Sequence, residues 1–530
     1  MPVLNRSSYK SLTTRMTNNP AIVRSLLVYI ICLPLAILLG FLVSDPLDKH
    51  NIMMFGVGAL LLLLPLLLRW YHAWLIAIWN MTVTFIYMPG LLPGWMPMAC
   101  IAFMIAMGHY ILNRERKFLP SQSVSLSLVF LALVVLVTAK MRGGLGFNAF
   151  GDDSVGGKRY LFIWVAVLGY FALISQPIPP RKRKLYTTLF LLGSLTAALN
   201  NLSTMIGPLG NILFIFFPGI STTVSGPMAE ENLERFGGIA ASCVAVVLAL
   251  LARYGLEGVL DLRKFWRPIL FFSALTICAF GGFRSTVVMM GIILVLVFYF
   301  EGLLRSRFMP VAVIGVIALA SVIICFSDQL PLPVQRCLAI FPVKISPVAR
   351  MSAEASSDWR IEMWKSLLPE IPRYLFLGKG LTFEANDMAM YFALGNEQVG
   401  GQVGGGMNLA GDYHNGPLSV IIPFGIWGAL GFLWFLVASI RVLWKNYKYG
   451  ESDLHRINTL LMCYFWTKTI MFLFIFGGFY GELVVFAGIV GLSISLNSGV
   501  AAKSVPVPER SEVVFNRFRR LPMGRPVAST

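Results

Sequence analysis

Charge is scarce in this chain. Asp, Glu, Lys and Arg make up 13% of the 530 residues while 57% are hydrophobic. An ordinary soluble domain carries roughly 25% charged residues, so a water-soluble globule is excluded. The cysteines offer neither a disulfide framework nor a metal-ligand spacing: Cys32, Cys100, Cys243, Cys278, Cys325 and Cys463 fall in apolar runs, and Cys337 alone lies in the long loop 327–416. A Walker motif is missing too, because Gly378-Lys379-Gly380 lacks the required run before its lysine and a Ser or Thr after it. No carboxylate sits centrally in any apolar run, which argues against an ion-coupled transporter, where intramembrane acids bind protons or sodium. No cleavable signal pattern opens the chain, so the first apolar run is expected to remain in the protein.

Apolar runs, by contrast, fill nearly the whole length. A bilayer core of about 30 Å takes about 20 apolar residues as a helix. Runs of that order stand at 25–43, 52–68, 73–89, 93–112, 123–139, 160–176, 186–205, 237–252, 268–283, 285–300, 309–326, 417–440, 459–478 and 482–499. The expected fold is an all-α polytopic membrane protein with about 12–14 transmembrane helices. The seventh run has an alternative, because 209–218 beyond it is also apolar and reads as a re-entrant segment. No solenoid period or inverted repeat is evident.

The net charge of +18 does not point to nucleic acid, because its distribution follows topology. With the N-terminus inside, about 28 Lys and Arg gather in cytoplasmic loops, in clusters such as Arg181–Lys184 and Arg441–Lys448, against about 15 elsewhere. That asymmetry places both termini in the cytoplasm. The chain divides into an N-terminal membrane region 1–326, a large external loop 327–416, a membrane region 417–499 and a basic cytoplasmic tail 500–530. In the tail, Arg517, Arg519 and Arg520 around Phe518 read either as an anionic-lipid contact or as a solvated end.

A loop of that length between spans points to function. Within it, 357–368 reads as a short amphipathic helix with Ser357 or Asp358 as its N-cap and Pro369 as its stop, and Arg360 and Trp364 share one face. A glycine-rich stretch, Gly400 to Gly411, leads to Asp412-Tyr413-His414-Asn415-Gly416-Pro417 at the mouth of the next span. Arg284, in Gly281-Gly282-Phe283-Arg284-Ser285, stands at the expected external turn of a tight hairpin, either snorkelling to water or capturing an anion. Arg360 offers a planar fork of donors suited to phosphate oxygens, and Arg235 at another external helix start is a weaker member of the same set. His414 suits a general base at neutral pH or a structural turn, with Asp412 or Asn415 placed to orient its ring. Lys468 is an intramembrane charge with two readings, a lipid phosphate or an ion pair with Glu482.

Taken in order, Phe283-Arg284-Ser285, then Trp359-Arg360-Ile361-Glu362-Met363-Trp364 with Leu377-Gly378-Lys379-Gly380, then Tyr413-His414-Asn415-Gly416-Pro417-Leu418 and Phe424-Gly425-Ile426-Trp427-Gly428, resemble the O-antigen ligase and polymerase superfamily. The resemblance covers roughly 200–500. It implies a GT-C-like membrane glycosyltransferase of the bacterial inner membrane with no cofactor, nucleotide sugar or metal requirement. The donor would be an undecaprenyl-diphosphate-linked glycan on the periplasmic side, and the acceptor a glycan or lipid A-core hydroxyl amid the membrane lipids. By position Arg284 and Arg360 would hold the diphosphate and His414 would activate the acceptor, with Arg235, Trp364, Asn415 and Asp412 as secondary substrate contacts. Ligation, repeat-unit polymerisation and protein O-glycosylation remain open within the family; outside it stand a solute transporter and a membrane scaffold.

Overall fold

The computed structural model describes residues 49–84, 92–112, 118–143, 157–218, 222–224, 233–306, 308–381, 411 and 413–503, with a few helical positions between 33 and 40. The first apolar run, most of the glycine-rich stretch, Asp412 and the tail beyond 503 fall outside the described residues. The protein is an all-α polytopic membrane protein. Among the described residues, seven helices are long and apolar enough to cross a membrane, and two more are shorter and apolar.

Among the described residues from 49 on, the helices in chain order are α1 (Lys49–Ile78), α2 (Trp95–Leu112), α3 (Gln122–Arg142), α4 (Gly157–Leu173), α5 (Arg183–Leu192), α6 (Ala197–Met205) and α7 (Pro208–Phe216). A small antiparallel hairpin, β1 (Thr222–Val224) and β2 (Leu233–Arg235), precedes α8 (Gly237–Val259), α9 (Trp266–Ala279), α10 (Arg284–Phe300) and α11 (Phe308–Phe326). The loop then folds as α12 (Leu332–Leu338), α13 (Pro347–Leu367) and α14 (Ile371–Tyr374), and the chain continues through α15 (Leu418–Tyr449), α16 (His455–Ile470) and α17 (Phe479–Leu496).

Helix α17 is the axis of the bundle, buried almost continuously from Phe486 to Leu496 and packed on α4, while α15 packs on α3 and α8 on α9. The approach at Gly488 is so close that a Cβ there would collide with the indole of Trp79, whose Nε1 donates to the Val484 carbonyl at 3.2 Å. At the other extreme, α11 buries no residue. It meets the requirement of a lipid-facing helix, apolar all round with its backbone bonds satisfied internally.

Two expected spans in the N-terminal half are not continuous helices. The run 73–89 is helical only to Ile78, after a kink at Trp70, and the run 186–205 is divided into α5, a 3-10 turn at Gly193–Thr196 and α6. The breaks meet: Thr82 N donates to Thr196 Oγ1 at 3.0 Å, Asn80 Nδ2 to the Phe190 carbonyl at 2.7 Å, and Thr84 N to the Phe216 carbonyl at 2.8 Å. Irregular backbone at membrane depth is tolerated where protein groups satisfy it. The apolar stretch after the seventh run is α7, a short helix folded back on α6.

The loop helix also differs from expectation. It begins at Pro347, ten residues before the predicted cap, because Ser346-Pro347 supplies a favourable first turn and the Ala, Ser and Glu positions that follow extend it. Ser357 lies mid-helix, its Oγ donating back to the Ala353 carbonyl at 3.2 Å. The expected stop holds: α13 ends at Leu367 and Pro369 sits in a 3-10 turn. A satellite apolar cluster of Met363, Leu367, Tyr374, Tyr413, Leu418 and Ile422, with Trp359, Trp364 and Ile371 against it, clamps α13 to the start of α15.

Helix α15 is itself broken. Gly425 takes φ +63, a left-handed backbone where other residues are strained, and an added Cβ would lie 2.7 Å from the Leu375 carbonyl. The segment after α14 fills the break: Ile426 N donates to Leu375 O, Lys379 N to Ile422 O and Gly380 N to Pro423 O. The same segment meets the ends of two more helices, with Arg142 Nε donating to Gly378 O at 2.9 Å and Leu381 N to Tyr160 Oη at 2.8 Å. The C-terminal end of α3 and the N-terminal ends of α4 and α15 therefore converge at one end of the bundle.

Candidate functional site

The α9–α10 turn places Arg284 at the first position of α10, at that same end. Gly282, at φ +71, makes the turn, and the buried Arg336 of α12 holds it by donating from Nη1 to the Gly282 carbonyl at 2.7 Å. Arg284 then reaches α13, its Nη2 donating at 2.9 Å to both the Ala353 carbonyl and Ser357 Oγ.

One turn on, Arg360 follows Ser357 on the inward stripe Ala349, Ala353, Ser357, Arg360, Met363 and Leu367, whose spacing of three and four keeps it on one helix face. The stripe carries the guanidinium into the protein, 5.4 Å from the centroid of the Phe476 ring. Its Nε is buried with no acceptor among the described residues. Burial, and then the nearby positive charge of Arg284, push the Arg360 pKa below the usual arginine value. Two cations gathered there make a position that favours a polyanion.

His414 shares the Phe476 ring, stacking on it at 5.2 Å between centroids and 19° between planes, with Trp359 of α13 at 5.6 Å. Phe476 follows a π-helical turn, Met471–Ile475, that ends α16 before Gly477-Gly478. The backbone of His414 is left-handed, φ +48, a conformation that costs about 1–3 kcal/mol in a residue with a side chain. Neighbours on both sides enforce it. Tyr413 is buried and its carbonyl accepts from Trp364 Nε1 at 2.9 Å, while Asn415 Oδ1 accepts from Leu418 N at 3.1 Å and so caps α15.

The structure thus brings Arg284, Arg360, Trp364 and His414 to one place. Asn415 lies beside them as a helix cap, and its carbonyl oxygen serves the backbone. Arg235 ends β2, with its backbone paired to Thr222 and its strand against α12. Asp412 is outside the described residues. Lys468 resolves in favour of the ion pair, 2.8 Å from Glu482, both side chains largely buried. Sequence reasoning did not single out Phe476, Ser357 as a partner of Arg284, or Lys379 as a buried cation, 3.7 Å from Glu370. A weak signal for Phe476 was available, an aromatic followed by two glycines at the end of an apolar run. Among the described residues, no group of three or more His, Cys, Asp or Glu is placed to hold a metal ion.

Residues 268–433 match the family described as O-Antigen ligase. The match runs from α9 into α15 and contains Arg284, Arg360 and His414. No curated protein matches the chain.

Proposed function

From a segment of the O-antigen ligase superfamily that carries this cluster, we propose that the protein is a membrane glycosyltransferase moving a glycan from undecaprenyl diphosphate to an acceptor hydroxyl at the external face of the bacterial inner membrane. In this reading the fold is GT-C-like, both termini are cytoplasmic, and the acceptor is a lipid A-core sugar or another glycan end. The observation that carries the proposal is one aromatic ring, Phe476, in contact with both an imidazole and a half-buried guanidinium, with a second guanidinium tied one turn away.

The chemistry follows from charge. As the acceptor oxygen attacks the anomeric carbon, the bond to the diphosphate breaks and negative charge grows on the leaving oxygens. Arg284 and Arg360, already partly desolvated, and Arg284 held by Ser357 and the Ala353 carbonyl, stabilise that charge with little reorganisation, which is where electrostatic catalysis gains most. Their planar donors suit two oxygens at once. His414, held by its neighbours, takes the proton from the acceptor hydroxyl.

The test is the glycan profile of a deletion strain complemented with wild-type, Arg360→Ala or His414→Ala protein. Uncapped lipid cores that only the wild type restores support ligation, and single repeat units in place of long chains assign polymerisation instead. An unchanged profile on deletion, or full rescue by both variants, removes the transferase reading.

A further inference from the structure

We infer that the opposite end of the bundle carries a second site, which binds the phosphate of an anionic phospholipid headgroup. A recess opens there between the start of α5, the later part of α8 and the N-terminus of α16, lined by Lys184, Thr188, Arg253, Asp453, Arg456 and Ile457. It lies far from the cluster around Phe476, since α8 and α16 run between the two ends, and it does not depend on the transfer reaction.

Three cations line the recess against one carboxylate, and Glu451 and Glu301 are held by other partners. The buried Arg183 holds Glu451 through Nη1 at 2.5 Å and Nη2 at 2.9 Å, and its Nη1 lies 3.6 Å from Asp453. Glu301, an acid within electrostatic range of Arg456, accepts from the Leu256 backbone N–H. Lys184, Arg253 and Arg456 are exposed at the rim, while Ala252, Thr187 and Ile457 form a buried floor. Arg456 is the second residue of α16, so the helix N-terminus adds positive potential at the same point.

The flank of the recess selects a lipid over a free anion. Lys184 and Thr188 are one turn apart on α5, and beside them on the same helix run Leu185 and Leu189, exposed by 55% and 37%. A phosphate among the three cations would leave acyl chains lying along those leucines, the arrangement expected where a basic pocket between helices meets the headgroup layer.

The probe is phosphatidylglycerol added to delipidated full-length protein and followed by native mass spectrometry, with phosphatidylcholine as the zwitterionic control and inorganic phosphate as competitor. Wild type is expected to prefer phosphatidylglycerol, and Lys184→Gln, Arg253→Gln and Arg456→Gln each to weaken it about fivefold, the equivalent of ~1 kcal/mol per basic residue. An unchanged melting temperature in each single variant separates site loss from unfolding. Equal binding by wild type and all three variants, or no preference over phosphatidylcholine, overturns the site. Displacement by millimolar inorganic phosphate overturns its assignment to a lipid.

Discussion

Ser357→Ala tests whether the tie between α10 and α13 sets the position of the Arg284 guanidinium. Arg284 Nη2 donates at 2.9 Å to two acceptors, Ser357 Oγ and the Ala353 carbonyl. The substitution removes the first and leaves the second, a backbone group that no side-chain change deletes. A hydrogen bond to a charged group contributes about 1.5–3 kcal/mol, and the surviving carbonyl recovers part of it. The expected loss is therefore about 1–1.4 kcal/mol, a five- to tenfold fall in kcat/KM, with the melting temperature unchanged. Arg284→Lys should lose more, because an ammonium cannot span both acceptors and still present a flat face to a diphosphate. In that background Ser357→Ala should add less than about twofold, since the partner it serves is gone. The assay is glycan transfer from a synthetic undecaprenyl-diphosphate donor in proteoliposomes. Additive losses in the double variant, or a silent Ser357→Ala, would refute the positioning argument even if Arg284 itself proves essential.

Three further outcomes are expected. His414→Gly should abolish transfer yet leave stability equal or higher by up to about 1 kcal/mol, because glycine adopts the left-handed backbone freely; denaturation in detergent alongside the transfer assay separates the two effects. Lys468→Met should destabilise by about 3–5 kcal/mol by leaving Glu482 without its partner, and the double variant Lys468→Met/Glu482→Leu should recover most of that; a melting comparison in which the double variant is no better than the single would contradict the pair's assignment. Gly425→Ala should cost at least about 2 kcal/mol and expose the segment after α14 to protease, since the new Cβ meets the Leu375 and Phe376 carbonyls; an unaltered cleavage pattern would speak against that docking.

Hydropathy located the spans whose boundaries are set by the chain itself. The α9–α10 hairpin falls where Gly281-Gly282 interrupts two apolar runs, and α17 spans 479–496 where 482–499 was expected. It failed where partners distant in sequence decide the backbone. Nothing in 73–89 announces that the helix stops at Ile78; the stop is tolerated because Thr196 Oγ1 and the Phe216 carbonyl receive the backbone donors of Thr82 and Thr84, and the Asn80 side chain ties to the Phe190 carbonyl. The candidate site shows the same division. Arg284, Arg360 and His414 stand out by residue type and position, and the structure sets them together. Phe476 is ordinary in sequence, one of 39 phenylalanines, and its position emerges only when α16 ends in a wider turn. The left-handed backbone of His414 is equally silent, because Trp364 and Asn415 impose it from outside.

Among the described residues, helix α13 touches every part of the candidate site: Arg284 through Ser357, His414 through Trp359, the Tyr413 carbonyl through Trp364, and Phe476 through Arg360. It behaves as an indexing rod. One extra residue within it would turn everything downstream by about 100°, and the contacts beyond that point would come out of register together. Variation in length along this part of the chain is therefore confined to the segments on either side of the rod, and its own residue count is a fixed dimension of the molecule.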